Sequence, residues 1–417
     1  MSGRPRTGRL GRGASAIFAT ALAALAVAVP ATAQPIYGIV PQDGQLPSSE
    51  DLDLMPSAGI QQMRLMAHWP TAESSRGFPY DWSVLDSVVR EMIKHNVEPY
   101  LFFYGTPDWA AKNDGHSCQR DCSIYPPSTP ETRKAFADFA AAAVKRYGPG
   151  GDFWEAPVST SAPTQPPTDP PPPGCELPLP PIGCPPPPPD PVPTPPPPPT
   201  EAPCGCTEPH PIHTWQIWNE QNSPKYFAPD VNVQEYAAMV KEVGNAIHSV
   251  DPTAEVILGG MWGPNSAKKV VLPVGPFLKQ LYSVNGIKDS FDSIALHPYS
   301  QNLQGTLDQL ETAHRIAKKS GDRKAGLWIS ELGWASDGPK GDPYVKGLKG
   351  QAKILSRALK TLEKKQRHLR LRGVFWYSWR DRPGGDNICS WCGGAGLRAT
   401  DGSPKPAWKA FKRVATR

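Results

Sequence analysis

The stretch HTWQIWNEQN, residues 213–222, decides the fold of this chain. It places a short apolar run, with two tryptophans and an isoleucine, directly before Asn219 and Glu220. A run of this kind, bounded by polar residues, is typical of a buried strand. An amide and a carboxylate side by side at its end therefore predict that the strand leaves the core at a functional site.

Seven further apolar runs have the same character and alternate with amphipathic helices. The eight predicted strands lie within residues 35–40, 61–69, 97–105, 213–220, 254–262, 291–299, 325–334 and 372–379. The predicted helices cover residues 49–58, 82–95, 131–147, 233–250, 275–282, 307–320 and 345–366. Strands that alternate with helices pair in parallel, with both faces of the sheet covered. Eight such units predict an α/β protein, a closed (β/α)8 TIM barrel.

A proline-rich tract, residues 157–211, interrupts this pattern between the third long helix and the fourth strand, and holds about half of the 52 prolines. Its composition indicates an extended or disordered segment. Neither three units nor five can close a barrel, so we interpret the tract as an insertion within one domain, residues 34–417. Because it follows a helix and precedes a strand, we expect it on the face opposite the active site. There it would be a tether, a spacer or a glycan-bearing arm that could contact a cell wall.

Residues 1–33 have the pattern of a signal peptide. Four arginines precede an apolar run, and residues 31–33 (Ala-Thr-Ala) provide a small-residue cleavage site. The alternative, an uncleaved anchor, fits less well because the run is shorter than the roughly 20 residues of a spanning helix. We expect a secreted chain, extracellular or associated with the cell wall, without a membrane span after cleavage.

The expected export and cleavage decide how the net charge and the cysteines are interpreted. The formal net charge is +5, and removing the four arginines of the signal peptide leaves +1. Such a balance gives no indication of a nucleic-acid partner. In a secreted chain, eight cysteines predict disulfides, although the sequence does not choose among their pairings. The local pairs are Cys118/Cys122, Cys175/Cys184, Cys204/Cys206 and Cys389/Cys392, and a zinc site built from CQRDC and CSWC is the alternative.

In a TIM barrel the functional side chains gather at the carboxyl ends of the strands. Glu220 ends the fourth strand and Glu331 ends the seventh, 111 residues further on. Two carboxylates that face one cavity are what glycoside hydrolysis needs, one as nucleophile and one as acid and base. Aromatic residues at other strand ends offer flat faces for sugar rings. The residue types predict an enzyme for a polysaccharide or oligosaccharide, with no metal and no cofactor.

Three segments resemble a known group of enzymes. WQIWNEQN is similar to the fourth-strand motif of clan A glycoside hydrolases, LWISELGW (327–334) to their seventh-strand nucleophile motif, and ALHPYS (295–300) to their sixth strand. The closing segment 396–411 resembles the end of many such domains. The resemblance covers nearly all of residues 34–417 outside the tract and is nearest to families 39 and 5. It departs at Gln221, where many relatives have proline.

The resemblance implies a retaining enzyme that cleaves β-glycosidic bonds by double displacement. It implies Glu331 as the nucleophile and Glu220 as the acid and base. It also implies five residues that bind substrate or support the site: Asn219 on the sugar 2-hydroxyl, Arg64, His297, Tyr299, and Trp376 beneath the reacting sugar. We expect a monomer. A barrel that binds carbohydrate without catalysis, and a transglycosylase, are alternatives.

Strand alternation bears on one of these residues. Trp376 and Trp379 are three positions apart, which places them on opposite faces of a continuous strand. Only one of the two is then expected to point into the site, and the resemblance favours Trp376.

Overall fold

Eight parallel strands, paired in chain order, close into a barrel. The computed structural model describes residues 34–41, 45–116, 122–154, 204, 206, 208–263, 271–382 and 389–417. The strands are β1 (Ile36–Val40), β2 (Gln62–His68), β3 (Glu98–Tyr104), β4 (Thr214–Asn219), β5 (Glu255–Trp262), β6 (Ser293–His297), β7 (Gly326–Leu332) and β8 (Leu371–Tyr377). The TIM-barrel prediction is confirmed.

Ten helices accompany the strands in the described part of the chain. They are α1 (Ser49–Ser57), α2 (Trp69–Ala72), α3 (Ser83–Lys94), α4 (Asp108–Asn113), α5 (Pro130–Tyr147), α6 (Val233–Val250), α7 (Val274–Tyr282), α8 (Leu303–Lys319), α9 (Gly347–Leu369) and α10 (Pro406–Ala415). All seven predicted helices are present. The short helices α2 and α4 and the closing helix α10 were not predicted; α2 and α4 have four and six residues, too few turns for a clear period.

Aromatic side chains fill the inside of the barrel. The ring of Tyr100 lies 4.8 Å from that of Phe375 and 5.2 Å from that of Trp328, measured between centroids. Glycines make room for these rings, since a Cβ at Gly38 would overlap Phe375 and one at Gly373 would overlap Trp328. The packed interior forms a floor beneath the carboxyl ends of the strands, where the predicted site lies.

The chain segments that lead into and out of the proline-rich tract meet at the amino-terminal end of the barrel. α5 ends at Tyr147, whose carbonyl accepts a hydrogen bond from the backbone N–H of Ile212 just before β4. The Cys204 sulfur lies 4.0 Å from the carbonyl oxygen of Trp154. Residues 155–203 lie outside the described residues, so the predicted tether, spacer or arm stays a prediction.

Several other predictions can be compared with the described residues only in part. Disulfides join Cys204 to Cys206 and Cys389 to Cys392. The predicted signal peptide, residues 1–33, lies outside the described residues, as do Cys118, Cys175 and Cys184. Among the described residues, no helix combines the length and the apolar character needed to cross a bilayer.

A glycine in α6 tests how tightly this helix packs against the segment before β6. A Cβ at Gly244 would overlap the carbonyl oxygen of Ser290. We expect Gly244→Ala to lower the free energy of unfolding by about 1 to 3 kcal/mol, the cost of overpacking. The control is Gly275→Ala in α7, whose Cβ would be 3.5 Å from the Thr312 side chain. It should be neutral or raise the free energy by up to about 1 kcal/mol. Thermal unfolding distinguishes the two, and equal melting temperatures would contradict the packing.

Candidate active site

Four strands bring the predicted polar residues to one end of the barrel. Glu220 follows the last residue of β4, Glu331 lies near the end of β7, and His297 is the last residue of β6. Arg64 points into the same space from β2, and Tyr299 comes two residues after β6. Hydrogen bonds join Arg64 to Glu331 and Asn219, and Tyr299 to Glu331. A further hydrogen bond joins His297 to Glu220.

The two carboxylates lie close together. A carboxylate oxygen of Glu220, one of Glu331 and a ring nitrogen of His297 are all within 4.8 Å of one another. The His297 Nδ1 atom is 2.8 Å from Glu220 Oε1 and 3.5 Å from Glu331 Oε2. The Glu220 side chain is 7% exposed and the Glu331 side chain 14% exposed, so both reach the cavity surface. This spacing is far below the 6.5 to 9.5 Å or so that an inverting pair needs for its water.

Arg64 is a buried cation that contacts both catalytic strands. Its Nη1 donates to Glu331 Oε1 at 2.8 Å, and its Nη2 donates to Asn219 Oδ1 at 2.7 Å. Its side chain is only 3% exposed. The guanidinium carbon lies 4.0 Å from the centre of the Phe102 ring, a cation–π distance. The rigid fork of arginine therefore sets Asn219 and Glu331 relative to each other.

Tyr299 completes the hydrogen bonding of Glu331. Its hydroxyl donates to Glu331 Oε2 at 2.8 Å, while Arg64 occupies Oε1. Burial raises the pKa of Glu331, and the Arg64 cation and the Tyr299 hydrogen bond both lower it again. The pKa of Glu331 is still raised on balance, but Arg64 and Tyr299 hold the rise below what burial alone would cause.

The charged form of Glu220 has less support than that of Glu331. Burial raises its pKa well above the ordinary value, and the nearby charge of Glu331 raises it further. The cations of Arg64 and Lys225 act in the lowering direction but with smaller effect. The two carboxylates therefore differ, since Glu220 retains its proton to a higher pH than Glu331. Such a separation of pKa values is how paired carboxylates acquire acid and nucleophile roles.

His297 is held neutral between them. Burial and the Arg64 cation lower its pKa well below the ordinary value. Its Nε2 side faces Gly260 of β5, where a Cβ would overlap the ring nitrogen and would also come close to the Ser330 hydroxyl. A glycine at residue 260 is therefore required for the imidazole to reach Glu220. The sequence GG at 259–260 was the available signal for this requirement.

The backbone is unusual where β4 ends. Trp218 and Glu220 adopt positive φ values of 72° and 44°, a conformation that costs energy for residues other than glycine. The next two residues fasten this turn to the region of β5. Gln221 donates to the Gly259 carbonyl at 3.0 Å, and the Asn222 side chain accepts from the backbone N–H of Trp262 at 2.9 Å. Both anchors were missed in the sequence.

The placement of Trp376 contradicts its predicted role beneath a sugar. Trp376 is fully buried, and its indole N–H donates to the Ala395 carbonyl at 3.0 Å. The indole packs on Trp334 in the layer between strands and helices. Trp379 lies in that layer too, on Trp408, because β8 ends at Tyr377 and strand alternation does not continue to residue 379.

The aromatic residue that β8 presents to the site is Tyr377. Its ring centre is 6.4 Å from that of Tyr299 and 6.5 Å from that of Trp391. Trp391 also contacts Tyr299 at 5.2 Å and stacks on Tyr344 at 5.0 Å. Together with Trp262, 5.4 Å from Tyr299, these rings form an aromatic wall beside Glu331. Trp391 and Tyr344 lie on loops, whereas Trp262 and Tyr377 end β5 and β8, so strand patterns could locate only part of the wall.

A cleft of about 550 Å³ adjoins this wall. It opens between the loops that follow β5, β6 and β7, on the same end of the barrel as the carboxylates. Tyr299 and Tyr344 line it together with polar side chains, among them Gln301, Asn302 and Asp308. Aromatic faces suit the apolar C–H faces of a sugar ring, and hydrogen-bonding groups suit its hydroxyls.

Glu220, His297 and Glu331 also have the donor types of a metal site. The Arg64 guanidinium already holds one oxygen of Glu331, and the Tyr299 hydroxyl holds the other. A cation between the carboxylates would have to approach against the charge of Arg64. The donor set therefore fits a metal ion poorly.

No protein-family model and no curated protein matches this sequence. Its structure is similar to that of a family 39 glycoside hydrolase from the gut symbiont Bacteroides cellulosilyticus WH2, with 20% identity and a TM-score of 0.57, over 92% of this chain and 64% of that one. A GH39 β-xylosidase from Caulobacter crescentus is similar at 16% identity and a TM-score of 0.57, over 92% and 73% of the two chains. A GH5_18 protein from Bifidobacterium longum subsp. infantis is similar at 13% identity and a TM-score of 0.54, over 92% of this chain and 79% of that one. The expected likeness to families 39 and 5 is confirmed for the fold.

The raised pKa of Glu220 predicts a pH-dependent effect on stability. Below the ordinary carboxyl pKa of 4.5, Glu220 is protonated in both folded and unfolded chains and has no ionisation cost. As the pH rises, the unfolded chain ionises in water while the native state must keep a proton or bury a charge, which destabilises it. We expect Glu220→Gln to melt at a higher temperature than the wild type at pH 7, by a margin that shrinks toward zero below pH 4.5.

Glu208→Gln is the control for this prediction, because it makes the same chemical change at an exposed position. Its melting temperature should follow that of the wild type across the pH range. A Glu220→Gln margin that stays constant with pH would contradict the assignment of the raised pKa to Glu220.

Proposed function

We propose that this chain is a retaining glycoside hydrolase that cleaves β-glycosidic bonds in a polysaccharide or oligosaccharide. The observation that carries the proposal is a pair of close carboxylates in which the pKa of Glu220 is raised more than that of Glu331. Oxygens of Glu220 and Glu331 lie within 4.8 Å, near the roughly 5 to 5.5 Å of retaining pairs. The similarity in fold to glycoside hydrolases of families 39 and 5 supports the same conclusion.

In the first step, Glu331 attacks the anomeric carbon and forms a glycosyl ester. Its ionised state is favoured by Arg64 and Tyr299. At the same time, Glu220 donates its proton to the glycosidic oxygen, which leaves as an alcohol. Asn219, fixed by Arg64, is in position to bind a hydroxyl of the sugar at the reacting carbon.

In the second step, water replaces the ester. Esterification removes the negative charge of Glu331, which is the nearby charge that raised the pKa of Glu220. The pKa of Glu220 then falls, and its carboxylate can accept a proton from the attacking water. Neutral His297, hydrogen-bonded to Glu220 at 2.8 Å, holds the carboxyl group in place through both steps. Inversion occurs twice, so the configuration is retained.

The substrate is proposed to extend beyond the sugar that reacts. The cleft of about 550 Å³ shares Tyr299 with the catalytic network and has room for further sugar units. The aromatic wall, with Trp391 and Trp262 on Tyr299, would carry the apolar faces of those units. We also propose that the chain is exported through the predicted signal peptide and meets its glycan outside the cell.

The test of the function is digestion of a panel of β-linked oligosaccharides and polysaccharides, with NMR of the first anomer formed. We expect the β-anomer first. Glu331→Ala should lower kcat on the order of 10⁴-fold or more, as removal of an essential nucleophile does, whereas Glu208→Ala should remain active. A first-formed α-anomer would exclude retention, and binding without any product across the panel would indicate a carbohydrate-binding barrel instead.

Tyr299→Phe tests how Glu331 is kept ionised. The lost hydrogen bond lowered the pKa of Glu331, so its removal raises that pKa. Since Glu331 must be ionised to attack, the acidic limb of the kcat/KM profile should move to higher pH. Tyr344→Phe, a ring in the same wall, should leave the limb where it is. Identical shifts in both variants would mean that the wall as a whole, and not this hydrogen bond, sets the limb.

A further inference from the structure

Positive charge is concentrated on one part of the surface, far from the carboxylates. Residues 311–324 and 360–372, together called the basic patch, contain eleven Lys or Arg and three Asp or Glu. The patch therefore carries a net charge of +8, whereas the whole chain carries +5. The remainder of the chain is net negative, so the patch is a local feature.

The basic patch lies at the opposite end of the barrel from the active site. It is formed by the carboxyl-terminal halves of α8 and α9 and by the residues that lead into β7. These elements enclose a cavity of about 240 Å³. Its charged and titratable lining residues are His314, Lys318, Asp322, Arg323, Arg367, His368 and Arg370.

The acids of the basic patch are already engaged. Glu311 binds both Lys365 at 2.9 Å and His368 at 2.8 Å. Asp322 accepts hydrogen bonds from the Tyr282 hydroxyl and from a backbone N–H. Among the residues that the structure describes, no carboxylate lies within ion-pair distance of Lys318 or Arg323. Their charges are open to an anion from outside.

Cations at helix ends have an ordinary explanation, since they complement the helix dipole. α5 shows this use, with Lys145 and Arg146 in its last turn and Arg146 paired with Asp86 at 2.6 Å. The basic patch contains more cations than this explanation requires. The rings of His314 and His368 are 5.3 Å apart, and burial together with the charge of His368 lowers the pKa of His314. The net charge of +8 in the basic patch therefore goes beyond what two helix ends require.

We propose that the basic patch binds an acidic polysaccharide, with one carboxylate-bearing sugar in the cavity and its neighbours along Lys318 and Arg323. The cavity is smaller than a typical drug-sized pocket, which suits a single sugar unit. Arginine forks match carboxylates in two-point contacts. Histidine provides the only rings in the described lining, so the patch lacks the platforms on which single-stranded nucleic acids stack.

Binding at this end leaves the catalytic cavity free. A chain bound at the basic patch would contact the amino-terminal end of the barrel, while Glu220 and Glu331 open at the carboxyl-terminal end. The patch is therefore inferred to hold the protein on an acidic matrix while the active site remains available. This inference does not depend on the proposed hydrolase activity.

The test is binding of the full chain to polygalacturonate, measured by calorimetry, with a neutral β-glucan as the comparison polymer. Arg323→Glu and Lys318→Glu should each weaken binding at least about fivefold, the scale of an exposed ion pair. Lys145→Glu makes the same charge change at an exposed helix end outside the patch and should alter affinity less than twofold. Binding should weaken as salt rises.

Three results would overturn the proposal. Equal losses in Lys145→Glu and Arg323→Glu would make the binding a general charge effect. Equal affinity for the neutral glucan would place it elsewhere. Tighter binding to duplex DNA or to anionic lipid vesicles, lost in the same two patch variants, would assign the patch to a different partner. Melting temperatures of all three variants establish that each is folded.

Discussion

A single buried cation, the guanidinium of Arg64, fixes the geometry on which the rest of the site depends. A charge that is 3% exposed is costly unless every donor finds a partner. Here Glu331, Asn219 and the Phe102 ring provide those partners. The same contacts make the two carboxylates unequal, because Arg64 touches Glu331 directly and reaches Glu220 only through space. The higher pKa of Glu220 relative to Glu331 follows from that asymmetry.

The barrel accommodates this cluster through local departures from regular structure. Trp218 and Glu220 adopt positive φ values, and Gln221 and Asn222 hold the turn against β5. On the other side, Gly260 lacks the Cβ that would push His297 away from Glu220. The strain at the end of β4 is balanced by the hydrogen bonds that Gln221 and Asn222, the residues after the carboxylate, make to β5.

Much of this could be predicted because strands and strand ends follow a simple period. Eight apolar runs predicted the barrel. Polar residues at or near the strand ends were predicted as site residues, and the structure brings five of them together: Glu220, Glu331, Arg64, His297 and Tyr299. The prediction for Trp376 was wrong for a physical reason, since β8 ends one residue later and the side chain that faces the site is that of Tyr377. In the aromatic wall, Trp262 ends β5, but Trp391 and Tyr344 lie on loops, and no local pattern encodes how those loops return to the barrel.

The two ends of the barrel divide the chemistry of the chain between them. The carboxyl-terminal end holds the carboxylates, the aromatic wall and the cleft. The amino-terminal end holds the basic patch, and the ends of the proline-rich insertion also meet there, at Trp154 and Cys204. An attachment surface close to the carboxylates would place cations beside Glu220 and lower the pKa that an acid catalyst needs. Keeping the proposed attachment and the proposed catalysis at opposite ends of a rigid barrel preserves both.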